Sequence, residues 1–218
     1  MRPFTFINVA ASADGKISDQ KKRQIKISCE EDAERVDRLR ASSDAIMVGI
    51  GTVLSDNPRL TVKNESLRSQ RVADGKPSNP IRVVVDSRCR VPQTSHVLND
   101  DARTILAVSE KAEKTRVEEI SEMAEVIITG KERVNLSALS TRLFEIGIGK
   151  LMVEGGGTLN HSMLSEGLVD EIIVYYGNMI IGSGPSPVEG NSFDPPLRLE
   201  LSEMEKIGNG VFVRWRCV

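Results

Sequence analysis

The amino-acid sequence predicts an α/β fold with a mainly parallel central sheet, helices on both faces and an antiparallel pair of strands at the C-terminal end. Short apolar runs alternate with helical patterns through most of the chain, which indicates parallel strands joined by helices. Near the end, apolar and polar residues alternate on both sides of the turn from Gly208 to Gly210, which is typical of an antiparallel pair. With 218 residues the chain can build one sizeable core, so we predict a single domain over residues 1–218.

Each strand is predicted from a short apolar run bounded by polar or turn-forming residues. The predicted strands are 4–9, 45–48, 81–85, 104–108, 126–129, 151–153, 172–176, 197–201 and 211–216. The first helix is predicted to follow Ser28, because Ser28 and Glu31 form a capping box. Ala33, Val36 and Leu39 then recur at helical spacing. Further helices are predicted over 136–146 and 158–164, and surface loops over 63–79 and 182–187.

The charge and composition exclude several classes of function. The formal net charge is −2 and basic residues are scattered among acidic ones, so we expect no nucleic-acid partner. No apolar run approaches the ~20 residues needed to cross a bilayer, and no signal peptide is evident, so we expect no membrane partner and a cytoplasmic protein. The three cysteines and two histidines lack ligand spacing, so we expect neither a metal site nor a disulfide framework.

Two glycine-containing turns follow predicted strands. The first comes after residues 45–48 and contains Gly49 and Gly51, and the second runs from Gly155 to Gly157 directly after Glu154. Glycines let a phosphate approach the main chain, and a helix start offers unpaired N–H groups and a positive dipole end. The second turn therefore fits a nucleotide phosphate site, and it equally fits a tight strand-to-helix turn whose glycines only supply a positive φ.

The two glycine turns belong to a larger set of segments, namely Asn8 with 12–16, 39–62, 80–88, 150–159 and 167–176. Taken together, these segments resemble the riboflavin-pathway pyrimidine reductases of the dihydrofolate-reductase-like fold. Those enzymes reduce 2,5-diamino-6-ribosylamino-4(3H)-pyrimidinone 5′-phosphate with NADPH. The resemblance implies a dihydrofolate-reductase-like fold, hydride transfer from NADPH with NADH as an open alternative, a small-molecule substrate and a homodimer.

The resemblance also implies roles for individual residues. The cofactor would contact Thr52, Asp56, Ser87, Gly155, Gly156, Gly157, Thr158 and Leu159. The substrate would contact Asp14, Arg40, Leu60, Lys63 and Glu154, with Glu154 as the catalytic residue. Lys63 stands where some relatives have arginine, so it keeps the charge and loses the bidentate fork. Arg88, beside Ser87, would help to bind a 2′-phosphate.

Other interpretations stay open at this point. Arg40 ends a predicted helix, where a cation is favourable in any case, and Asp14 and Asp56 lie at good turn positions. The chain could also be another dihydrofolate-reductase-like enzyme that reduces a pterin or a different pyrimidine, because fold alone does not specify the substrate. A non-catalytic nucleotide-binding module is the alternative from a different class.

Overall fold

The computed structural model describes residues 1–21 and 25–218, and this part of the chain contains nine strands, six α-helices and one 3₁₀ helix. The strands are β1 Phe4–Ser12, β2 Ala45–Gly49, β3 Ile81–Val85, β4 Thr104–Val108, β5 Glu125–Ile128, β6 Lys150–Val153, β7 Glu171–Gly177, β8 Leu199–Ile207 and β9 Gly210–Cys217. The helices are α1 Glu30–Ser42, α2 Ile50–Asp56, α3 Glu65–Ala73, α4 Lys114–Ser121, α5 Leu136–Glu145 and α6 Gly157–Ser165, and the 3₁₀ helix is His96–Leu98.

The chain divides into two compact units. The first comprises Met1–Pro3 and Asp37–Met152, and the second comprises Phe4–Val36 and Val153–Val218. That the chain folds as a single domain stays a prediction.

The first unit has the strand order β5-β4-β3-β2-β6, and its β2–β3, β3–β4 and β4–β5 pairs are parallel. The register pairs Met47 with Val83 and Val83 with Ile105, and all three side chains are buried. Strands covered on both faces form continuous apolar runs rather than alternating ones, which is why the runs at 45–48, 81–85 and 104–108 were informative.

The second unit has the strand order β1-β7-β9-β8. β1 and β7 are parallel, with Asn8 opposite Ile173, whereas β9 runs antiparallel to both β7 and β8. The mainly parallel strands and the antiparallel C-terminal pair are therefore confirmed. Both strands of that pair are longer than predicted, and β8 begins two residues later than predicted, at Leu199. A register shift lies between Leu201 and Glu203 of β8.

The prediction of a surface loop over residues 63–79 is wrong, because this segment contains α3. Its N-cap is Asn64, whose side chain accepts a hydrogen bond from the N–H of Leu67 at 3.2 Å. The helix is anchored by Arg71, which is 4% exposed and donates to the carbonyls of Ala41 and Ser43 at 2.7 Å each. An arginine takes the place of the apolar anchor, so the segment lacked the apolar periodicity by which helices are predicted.

The prediction of a capping box at Ser28 is also wrong, because the helix begins one residue later than that box requires. α1 begins at Glu30, and the N–H of Ala33 donates to the carbonyl of Cys29 at 3.1 Å. The Cys29 sulfur, and not the Ser28 hydroxyl, accepts from the N–H of Asp32 at 3.4 Å. Asp32 is buried in this helix, whereas Ala33 is exposed. The apolar residues from which the helix was predicted are therefore not the residues that form its buried face.

Candidate functional site

Glu154 belongs to the second unit, directly follows the last residue of β6 and is half-buried. Gly155 then adopts φ +95°, a conformation that glycine enters far more easily than other residues. α6 begins at Gly157, and its N-cap Gly156 contributes no side-chain cap. Because the first N–H groups of a helix have no partner inside it, this turn presents backbone donors at the positive end of the helix dipole. Thr158, in the same turn, is exposed.

One side of this glycine turn is covered by the protein itself. A Cβ on Gly157 would lie 2.6 Å from the carbonyl oxygen of Ser186 and 2.9 Å from Cγ of Glu189. The N–H of Glu189 donates to the carbonyl of Gly157 at 3.0 Å and fixes this approach. Glycine is required at position 157 because the segment 186–189 packs there, whether or not a phosphate binds on the open side of the turn.

Asp14 holds two loops of the second unit together. Its carboxylate accepts from the Ser12 hydroxyl at 2.6 Å and from the N–H groups of Ile181 at 3.0 Å and Gly182 at 2.7 Å. These hydrogen bonds, that of Ser12 foremost, lower the pKa of Asp14 to about 2. The carboxylate is thus engaged in joining the loop after β1 to the loop after β7, and its contact with substrate stays a prediction.

In the first unit, the loop 57–64 contains two of the predicted substrate residues. Leu60 is 2% exposed, so its side chain presents no surface to a ligand. Its φ of +52° indicates local strain, because a bulky residue rarely adopts this conformation.

Hydrogen bonds from α1 hold the same loop. Lys63 is exposed, and its N–H donates to Asp37 Oδ1 at 2.7 Å. The N–H of Asn64 donates to Asp37 Oδ2 at 2.6 Å. Arg40 donates to the carbonyl of Thr61 at 3.0 Å, so α1 supplies two side chains that hold this loop.

Thr52 and Asp56 both lie on α2, which begins immediately after β2 where only a glycine turn was predicted. Thr52 is half-buried and Asp56 is exposed at the last position of the helix. Asn57 ends the helix with φ 42°, and its side chain accepts from the N–H of His96 at 2.8 Å. The end of α2 is thereby held in place, with Asp56 facing solvent.

Ser87 follows β3 in the first unit and holds a neighbouring turn. Its hydroxyl oxygen accepts from the N–H of Val134 at 3.0 Å, and its carbonyl accepts from the Ser109 hydroxyl at 2.8 Å. Arg88 is exposed, and its Nη2 lies 3.8 Å from Oε2 of Glu132. A contact of Ser87 with the cofactor stays a prediction, and its observed role is to anchor the turn that contains Glu132.

The structure brings some predicted residues together and adds others. Within the first unit, Arg40 binds the loop that contains Lys63, and within the second, Glu154 is continuous with the glycine turn. Asp37 and Glu132 were missed. Acidic residues in an amphipathic helix and in a polar turn are usually solvated, so nothing local in the sequence distinguishes these two.

Within residues 1–21 and 25–218, no group of three or more His, Cys, Asp or Glu side chains is arranged to hold a metal ion. In the same part of the chain, no helix has the length and apolar character required to span a membrane.

Comparison with known proteins places this chain in a family. A protein of Archaeoglobus fulgidus named 2,5-diamino-6-ribosylamino-4(3H)-pyrimidinone 5′-phosphate reductase is 58% identical over 218 residues, covering 99% of each chain. A pyrimidine reductase-like protein from Corynebacterium diphtheriae has a similar structure, with a TM-score of 0.87, 20% identity and coverage of 99% of this chain and 92% of that one. Dihydrofolate reductase from Enterococcus faecalis superposes with a TM-score of 0.53 at 9% identity, covering 98% and 96%, and this confirms the dihydrofolate-reductase-like fold. Residues 3–213 match the model of the RibD C-terminal domain, and the chain therefore belongs to that family.

Proposed function

We propose that this chain is an NADPH-dependent reductase that converts the ribosyl group of 2,5-diamino-6-ribosylamino-4(3H)-pyrimidinone 5′-phosphate to a ribitylamino group in riboflavin biosynthesis. The observation that carries the proposal is the 58% identity, along essentially the whole of both chains, with the A. fulgidus protein that bears the name of this reductase. The matched region extends through both units and so covers the positions of all the predicted site residues.

NADPH, when bound, supplies the hydride, and the protein supplies binding and orientation. The start of α6 suits a pyrophosphate, because Gly156 leaves the first-turn N–H groups without a side-chain cap. We propose that residues 155–159, Thr52, Asp56 and Ser87 contact this cofactor. Their exposure differs, from the exposed Asp56 to the buried Leu159, so a contact of Leu159 would use its backbone.

Glu154 is the proposed substrate contact in the second unit. An ionised carboxylate only accepts hydrogen bonds, and amino groups on a pyrimidine donate them. Its position directly after β6 holds it more rigidly than a long loop would, which favours orienting the substrate carbon that receives the hydride. In the first unit, the cations of Arg40 and Lys63 suit the sugar phosphate.

The proposal is tested with Glu154→Gln. Glutamine keeps the size but replaces one acceptor by a donor, so a substrate amino group would face an N–H in a partly desolvated site. We expect kcat/KM to fall about thirty- to thousandfold, corresponding to about 2 to 4 kcal/mol, with NADPH binding retained. Glu145→Gln, on the exposed face of α5, is the matched control and should leave kcat/KM unchanged.

Near-normal turnover by Glu154→Gln would remove this residue from the substrate site. Loss of NADPH binding alone would instead assign it to the cofactor turn. A second assay offers the wild-type protein the pyrimidine phosphate before and after deamination and identifies the reduced product. Failure to oxidise NADPH with either compound would contradict the proposed function.

We also propose a homodimer that covers β8. This strand lies at the edge of the second unit, and Leu199, Leu201 and Met204 are 39%, 50% and 67% exposed. A long edge strand with exposed apolar side chains is a surface that proteins usually cover. Light scattering should give twice the mass of the chain, and Leu201→Lys should produce a monomer. A wild-type monomer would contradict the proposal.

A further inference from the structure

The turn that contains Glu132 is fixed against the ends of two neighbouring strands of the first unit. The N–H of Val134 donates to the Ser87 hydroxyl at 3.0 Å, and the Ser109 hydroxyl lies 3.3 Å from the carbonyl oxygen of Glu132. Gly130 has φ +78°, and a Cβ there would lie 2.2 Å from a carbonyl oxygen of the same turn, so the turn is tight. The turn is therefore held at the ends of both strands, with the main chain of Val134 bound to Ser87 after β3 and that of Glu132 bound to Ser109 after β4.

The carboxylate of Glu132 contacts two cations that follow β3 and β4. Its Oε2 lies 3.8 Å from Nη2 of Arg88, and its Oε1 lies 3.3 Å from Nζ of Lys111. All three side chains are more than half exposed, at 68% for Glu132 and 53% for each cation. Exposed ion pairs contribute little to stability, so the main consequence is electrostatic: a negative charge stands where Arg88 would receive a phosphate.

We propose that Glu132 is a specificity-determining residue that competes with the 2′-phosphate of NADPH for Arg88 and Lys111 and so weakens the preference for NADPH over NADH. This inference rests on the proposed function, in which the adenosine end of the cofactor lies at Ser87. A phosphate dianion is repelled by the carboxylate and must displace it from both cations. The 2′-hydroxyl of NADH can instead donate a hydrogen bond to the carboxylate, as acidic residues do in many NAD sites.

The test uses Glu132→Gln and two cofactor fragments, adenosine 2′,5′-bisphosphate and adenosine 5′-monophosphate, whose binding is measured by calorimetry at low ionic strength. Removing one charge next to the phosphate should tighten the bisphosphate about three- to tenfold, while the monophosphate binds unchanged or more weakly. Correspondingly, the Michaelis constant for NADPH should fall and that for NADH should stay unchanged or rise. These constants provide the test where fragment binding is too weak to measure.

Glu125→Gln is the matched control, because Glu125 also pairs with an arginine, Arg103, but stands at the opposite end of β5. It should leave both fragments and both cofactors unchanged. If Glu132→Gln turns over normally and its ratio of NADPH to NADH Michaelis constants equals that of the wild type, the inference is overturned and the proposed function stays intact. A wild-type protein that binds neither fragment and oxidises neither cofactor would overturn both.

Discussion

Replacing Asp37 by asparagine should loosen the loop that contains Leu60 and Lys63. Asp37 is 7% exposed, and its carboxylate accepts hydrogen bonds from the N–H groups of Lys63 at 2.7 Å and Asn64 at 2.6 Å. Asparagine offers one acceptor, and its amide NH₂ faces the other N–H. One charge-assisted hydrogen bond is lost and one partly buried donor is left unsatisfied, which together should cost about 2 to 4 kcal/mol. The strained backbone of Leu60, with φ +52°, also favours movement of the loop once these hydrogen bonds are weakened.

The assay combines urea unfolding with steady-state kinetics. We expect the unfolding midpoint of Asp37→Asn to fall by about 1 M or more, and the KM for the pyrimidine phosphate to rise severalfold while that for NADPH changes little. Asp74→Asn is the matched control, since the Asp74 side chain accepts an exposed hydrogen bond from Gln70 at 3.0 Å at the C-terminal end of α3. It should change stability by less than about 0.5 kcal/mol. If Asp37→Asn unfolds at the same urea concentration as the wild type, the carboxylate does not hold the loop and the reasoning is refuted.

Two other changes test the second unit. Gly157→Ala should destabilise the protein by about 1 to 3 kcal/mol in urea unfolding, because the new Cβ would lie 2.6 Å from the Ser186 carbonyl oxygen. Gly51→Ala is the control and should be neutral or slightly stabilising, since a Cβ there has no atom within 4 Å. Equal effects of the two substitutions would contradict the packing explanation. Asp14 has a pKa lowered from 3.8 to about 2, so its hydrogen bonds stabilise the fold above pH 4 and this contribution is lost as the pH falls towards 2. Asp14→Asn should therefore be less stable at pH 5 and should lose less stability between pH 4 and pH 2, and parallel pH profiles for the two proteins would count against this role.

Much of the fold could be predicted because its signals are local. The runs at 81–85 and 104–108 coincide with β3 and β4, since strands buried on both faces must be apolar along their length. α3 was missed because Arg71 anchors it through carbonyl groups rather than through an apolar face. The predicted capping box failed because Ser28 and Cys29 both precede the helix, and only the structure reveals that the helix begins one residue later.

The sequence by itself determined the class of fold, the family and the glycine turn after Glu154, because apolar periodicity and motif spacing are properties of neighbouring residues. Only the tertiary structure decided what the candidate residues contact. Asp14 is bound by N–H groups 167 and 168 residues away, and the distance of Glu132 from Arg88 depends on which strand ends lie side by side. Hydrogen bonds and ion pairs act over a few ångströms in space, so the partner of a charged side chain is decided by chain topology and leaves no periodic trace in the sequence.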